Sequence, residues 1–143
     1  MNQVVVHFKN GKVVKGKAHD IYKTRRLFHL EVPERPGKTF VVQVKDIKAI
    51  FFVRDINPPT QGGMGHLKEG EKEKSYGRKA IVHFHDGESI TGYVQAFHKE
   101  DPILVLVPEI KNNNERIFIN KACVKKFKWL EKETTKEFVN PFA

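Results

Sequence analysis

The residues of this chain with chemistry beyond packing are seven histidines, one cysteine and a crowd of cations in its first third. His83 and His85 stand at i and i+2 on one strand face, and His7 precedes a similar stretch. Two ligands on one strand fall short of the three or four convergent donors that zinc takes, and no cysteine or carboxylate at a suitable spacing completes the set. No metal site is expected. Cys123 has no second thiol to pair with, and its neighbours Ala122 and Val124 suit a small buried residue better than an activated nucleophile. The sequence holds no Gly-x-Ser-x-Gly, P-loop or dinucleotide fingerprint, and the acidic pair Glu100-Asp101 lies in a turn beside Lys99 and Pro102. The expectation is a non-enzymatic chain with no catalytic residues and no cofactor.

The cations read differently. Lys15, Lys17 and His19 alternate with Val14, Gly16 and Ala18, which puts them on one outward face of a strand. Lys12 precedes that strand, and Lys23, Arg25 and Arg26 follow in the next turn with Tyr22 beside them. Such a face offers phosphate contacts, and the tyrosine ring can stack on a base, so RNA or DNA is the expected partner. The plainer alternative is a solvated charged face that keeps an exposed sheet from associating.

Bulk charge favours a polyanion. The chain carries 26 Lys and Arg against 17 Asp and Glu, a formal +9, and such a field attracts nucleic acid at long range. Residues 1–55 hold 12 basic and 5 acidic groups, and residues 77–130 hold 9 and 6. The first half is the basic one. The N-terminus has no basic stretch leading into the apolar run of about 7 residues or more that a secretory signal needs, and no segment approaches the roughly 18 apolar residues of a membrane span. A cytoplasmic protein with no membrane partner is expected, in keeping with its lone thiol.

The elements that position these residues emerge from an internal repeat. Val6-His7-Phe8-Lys9-Asn10-Gly11 recurs as Val82-His83-Phe84-His85-Asp86-Gly87, and Gly16 recurs as Gly92. Leu30 matches Leu106, and Ile47, Ile50, Phe52 and Val53 match Val124, Phe127, Trp129 and Leu130. Each copy reads as five strands. Asn10-Gly11 and Asp86-Gly87 suggest type I′ hairpin turns, and the repeated glycine marks a bend or a close backbone approach. Strand three runs over Leu27 to Val32 or Ile103 to Val107, strand four over Thr39 to Val44 or Arg116 to Asn120, and strand five over Ile47 to Val53 or Val124 to Leu130. The expected architecture is all-β: a five-stranded SH3/Sm-like small barrel over 1–55, a flexible linker over 56–76, a second such barrel over 77–130, and a tail over 131–143 that opens as a short helical turn.

The order of elements, with Asp/Asn-Gly after strand one, a glycine five residues later and a hairpin between strands four and five, resembles the Sm-like proteins. Members of that family that hold RNA at a ring centre carry a Phe-Asp after the bend, then an Asn, and later an Arg-Gly. The matching positions here are Ile21-Tyr22 and Phe97-His98, then Arg26 and Pro102, then Gln43-Val44 and Asn120-Lys121. The base-reading residues are absent, so neither that recognition nor a ring is implied. The two-copy layout also resembles an uncharacterised bacterial family, through Lys48-Ala49-Ile50-Phe51-Phe52-Val53-Arg54-Asp55 in copy one and Asn113-Asn114-Glu115-Arg116-Ile117-Phe118 in copy two. That resemblance implies an architecture and no activity.

One strand breaks the half-buried pattern. Ile103-Leu104-Val105-Leu106-Val107 is apolar on both faces, which points to an interface between barrels or subunits. The alternative function is accordingly a protein-interaction or scaffold module, or a homo-oligomer, using this strand and Phe138 of the tail as its partner surface.

Overall fold

The computed structural model describes residues 2–57, 77–95, 97–110, 112–131 and 134–137. Most of the expected linker and the tail from Phe138 onward lie outside the described residues. The chain is all-β. Copy one contributes β1 (Asn2–Phe8), β2 (Val13–Ala18), β3 (Leu27–Glu31), β4 (Thr39–Gln43) and β5 (Ile47–Val53). Copy two contributes β6 (Arg78–Phe84), β7 (Ser89–Val94), β8 (Ile103–Pro108), β9 (Asn114–Asn120) and β10 (Val124–Glu131), and β11 (Thr134–Glu137) follows. The tail therefore opens as a strand and not as the helical turn expected from Glu131 onward. Helix among the described residues is limited to two single 3-10 turns, Val44–Asp46 and Lys121–Cys123.

The strands form one antiparallel sheet in the order β11-β10-β6-β7-β8-β9-β5-β1-β2-β3-β4. Within each copy the order is the same: fifth, first, second, third, fourth. The expectation of two separate closed barrels needs correcting, because the copies join edge to edge through β5 and β9 into a single open sheet. Nor do strands four and five of a copy form a hairpin. After the 3-10 turn, β5 crosses to pair with β1 and β10 crosses to pair with β6, which frees the far side of β5 for the other copy.

Local chemistry explains the repeated motifs. The hairpin turns are not type I′, since only Gly11 and Gly87 have positive φ, at 91° and 93°. Gly11 N–H donates to the Phe8 carbonyl at 3.0 Å, Phe8 N–H to the Lys12 carbonyl at 2.9 Å, and the Asn10 side chain accepts from Lys12 N–H at 2.9 Å. Copy two repeats this with Gly87, Phe84, Glu88 and Asp86. This is a type I turn closed by a glycine bulge, in which a single left-handed residue suffices. Gly16 and Gly92 mark a close approach: a Cβ there would lie 2.5 Å from the Glu31 carbonyl oxygen or 2.4 Å from that of Val107.

The two-faced strand finds both of its partners inside the chain. Leu104 and Leu106 of β8 pack in the core of copy two, with Val82, Phe84 and Phe127. Ile103, together with Phe118 of β9, lies instead in the core of copy one among Val4, Val6, Ile50 and Phe52, and Val105 packs against that core. β5 reciprocates. Its Ile47, Ile50 and Phe52 face their own core, while Ala49 and Phe51 join that of copy two. The β8 strand is thus consumed by the junction and is not the external partner surface expected of it.

The two phrases behind the family resemblance prove to be the two sides of this junction. Ile50 stands opposite Phe118, Phe51 opposite Ile117, Phe52 opposite Arg116 and Val53 opposite Asn114. The Phe52 and Phe118 rings meet at 4.8 Å, and the Arg116 guanidinium lies 4.4 Å from the centre of the Phe52 ring. Asn113 closes the end of the ladder: its side chain accepts from Asp55 N–H at 3.1 Å and donates to the Asp55 carbonyl at 2.7 Å.

Candidate functional site

The edge-to-edge junction brings cations from both copies to one end of the sheet. After β4 and β9 the chain turns through the two 3-10 segments, and between them opens a groove of about 430 Å³. Lys9, Arg26 and Lys45 from copy one line it with Lys99 and Lys121 from copy two, and Asp101 is the one carboxylate among its lining residues. Asp101 is already engaged, 3.7 Å from the Lys23 ammonium.

Hydrogen bonds tie the frame of the groove together. Asn120, 5% exposed, donates from its side-chain nitrogen to the carbonyls of Val44 at 3.2 Å and Ile47 at 2.9 Å, and its Oδ1 accepts from Ala122 N–H at 3.1 Å. One amide thereby ties the 3-10 turn of copy one to that of copy two. Val44 N–H donates to the Arg26 carbonyl at 2.9 Å, which fixes the backbone that carries that guanidinium. Lys121 is buried, donates from Nζ to the His98 carbonyl at 2.6 Å and lies 4.8 Å from the centre of the Phe97 ring. Burial pushes its ammonium below the ordinary lysine value.

The residues singled out from sequence do not all meet here. Lys15 and Lys17 are exposed on the outward face of β2, opposite Val5 and Gln3, and Lys17 also faces Glu31 of β3. Lys12 lies at the β1–β2 turn and, with Asp46, lines a cleft next to β4. Arg25 is 3.8 Å from Asp20, and Asp20 also accepts from the His29 ring nitrogen at 2.7 Å and from His29 N–H at 3.0 Å. Partial burial works against the Asp20 charge, but the His29 hydrogen bonds outweigh it and hold the carboxyl below its usual value. Tyr22 is 56% exposed on the same loop. Of the seven, Arg26 lines the groove and Lys23 reaches its rim through Asp101.

Sequence reasoning missed Lys9, Lys45, Lys99 and Lys121, which are far apart along the chain and converge only once β9 has paired with β5. The available signal was the two-faced β8 strand, which announced a junction without saying which loops it would draw together. Cys123 is half-buried, with its thiol 3.7 Å from the Ile47 carbonyl, and burial raises its pKa, the reverse of nucleophile activation.

The fold and the groove define an all-β protein of two like-ordered halves that share one antiparallel sheet and collect positive charge where they meet. The chain belongs to the DUF6982 family, a family of unknown function, whose model matches residues 1–131. No curated protein and no solved structure matches it. Among the described residues, no helix is long and apolar enough to cross a membrane.

Proposed function

We propose that this chain is a non-enzymatic, cytoplasmic binding module of two tandem SH3/Sm-like units, opened and joined edge to edge, that engages RNA or DNA through phosphate contacts. The observation that carries the reading is the groove at the junction, lined by four exposed cations, Lys9, Arg26, Lys45 and Lys99, and by one carboxylate already shared with Lys23. Arg26 suits bidentate phosphate recognition, and the lysines act as point charges along a backbone. Lys15 and Lys17 on β2, with Tyr22 on the loop beyond, extend the positive surface of copy one, and the tyrosine offers a stacking face.

Fluorescence anisotropy with labelled single-stranded RNA and duplex DNA, across a salt series, tests this. Each phosphate that the protein no longer neutralises takes about 0.9 off the slope of log affinity against log salt on duplex DNA. The triple variant Arg26→Ala, Lys45→Ala, Lys99→Ala is expected to weaken binding steeply and flatten that slope. Lys15→Ala with Lys17→Ala is expected to do so to a smaller degree, and Lys125→Ala with Lys128→Ala on β10 least. Wild-type protein that binds neither probe at low salt would end the proposal.

A further inference from the structure

The two ends of the sheet are built differently. At one end β11 pairs along the outer side of β10. Where β5 sends Ala49 and Phe51 into the neighbouring core, the matching positions of β10 are lysines: Ala49 stands opposite His7 as Lys126 stands opposite His83, and Phe51 opposite Val5 as Lys128 opposite Ile81. β10 is thus covered by β11 and carries lysines in place of the apolar residues by which β5 joins the other copy.

At the other end β4 pairs with β3 alone among the described residues, and it carries none of these guards. From Thr39 to Gln43 there is no charged residue and no proline. Comparison with β9 shows what is missing. Val41 stands opposite His29 as Phe118 stands opposite Val105, and Phe40 opposite Leu30 as Ile117 opposite Leu106. Beside β5, Phe118 and Ile117 are 7% and 2% exposed; Val41 and Phe40 are 59% and 45% exposed. Leu27, the counterpart of Ile103, is likewise exposed, and next to Phe40 a cleft of about 410 Å³ opens onto Phe8, Val14 and Leu30 of the copy-one core. Among the described residues, copy one thus leaves uncovered the surface that copy two covers with a strand.

We propose that β4 is a homodimerisation edge, on which two copies of this chain pair β4 to β4, antiparallel, about a two-fold axis. The covering strand must present apolar side chains on both faces, to shield Phe40 on the inner side and Val41 on the outer. β4 has that character itself and is self-complementary: with Val41 on the axis, Phe40 meets Val42 of the second copy and Thr39 meets its Gln43. The lysine-bearing β10, already paired with β11, does not offer such a surface. A two-fold pair consumes both apolar edges, leaves the two guarded ends outermost and closes on itself.

Sedimentation velocity on the nuclease-treated full-length chain, over a wide concentration range, reads the outcome. Wild type is expected to be dimeric. Val41→Lys removes an apolar contact from each side and sets two like charges face to face, so the dimer is expected to weaken by about 100-fold or more. Because Val41 is exposed, circular dichroism should stay native, and Phe40→Lys, which replaces the apolar partner of Val42 in the second copy with a charge, provides a second variant expected to weaken the dimer. In a Cys123→Ala background, Val41→Cys should form an intermolecular disulfide on mild oxidation, as its place on the axis requires. Wild type that remains monomeric, a dimer indifferent to both lysine variants, or species that grow past dimer through pairing of the β11 end with β4 would each overturn the proposal.

Discussion

The Lys48 ammonium of β5 lies 2.6 Å from the Asp86 carboxylate in the first turn of copy two, hydrogen-bonds Glu88 as well, and sits 4.6 Å from the centre of the Phe84 ring. Lys48 falls where the β1–β5 register shifts, at the bulge between the Ala49 and Ile47 pairings. The extra residue is aimed away from its own ladder and toward the other copy. Burial opposes its charge, but the hydrogen bonds to Asp86 and Glu88 more than compensate and raise its pKa; the same contact with Lys48 lowers that of Asp86.

A pH dependence of stability follows at both extremes. Asp86 has a folded pKa below its ordinary 3.8, so its contribution is present above that value and disappears as pH falls through the lowered one. Lys48 has a folded pKa above 10.5, so its contribution is whole below that value and disappears as pH rises through the raised one. Urea midpoints measured across both windows should fall in wild type and much less in Lys48→Met. The same variant reports on His7, whose ring lies tilted against that of Phe51 at 4.6 Å and whose pKa is held below 6.5 by burial first and by Lys48 second. Its titration midpoint, followed by NMR, should rise when Lys48 is removed.

The shared strands predict that the two halves unfold together. Phe28 is buried in the copy-one core, far in sequence from Trp129, the only tryptophan, which packs against the core of copy two. Phe28→Ala should cost about 3–5 kcal/mol. In chemical denaturation the Trp129 fluorescence transition should move by as much as the circular dichroism transition. A Trp129 midpoint that stays in place would mean that the halves melt independently.

Gly92 and Gly16 should resist substitution because the neighbouring strand of their own copy passes too close for a side chain. Alanine at either site drives a methyl group into a carbonyl oxygen and a leucine side chain on the adjacent strand, an overpacking expected to cost about 1–3 kcal/mol. Gly87→Ala meets no atom within 4 Å but keeps a φ of 93°, so strain is its sole penalty. Urea denaturation of the three variants should give matching losses for Gly16 and Gly92, arising from contact, and a loss at Gly87 arising from backbone conformation.

Much of the fold was legible because strands in a half-buried sheet write their period into the sequence. Val4 and Val6, then Ala80 and Val82, alternate as the structure requires, and the expected bounds of strands three to five fall within a few residues of those observed. Closure was not legible. Whether β5 returns to its own β4 or passes to the β9 of the other copy depends on side chains such as Phe51 and Phe118, whose apolar character is the same in either arrangement. The turn type was misjudged because Asn-Gly fits both a two-residue turn and a glycine bulge, and only φ at Asn10 separates them. The cation groove was invisible for a related reason: charges carry no period, and Lys45 and Lys121 become neighbours only through the pairing of strands that are distant in sequence.

Because β5 serves as a wall for two cores, a cut between the copies would strip apolar surface from both. A fragment ending after residue 57 would carry Ala49 and Phe51 with nothing to rest on, and the remainder would lack the side of its core that those residues supply. Each half has outsourced part of its interior to its twin. A substitution at Ala49 or Phe51 is therefore felt in the core of the copy that does not contain it, whereas the exposed lysines of either copy answer to neither core.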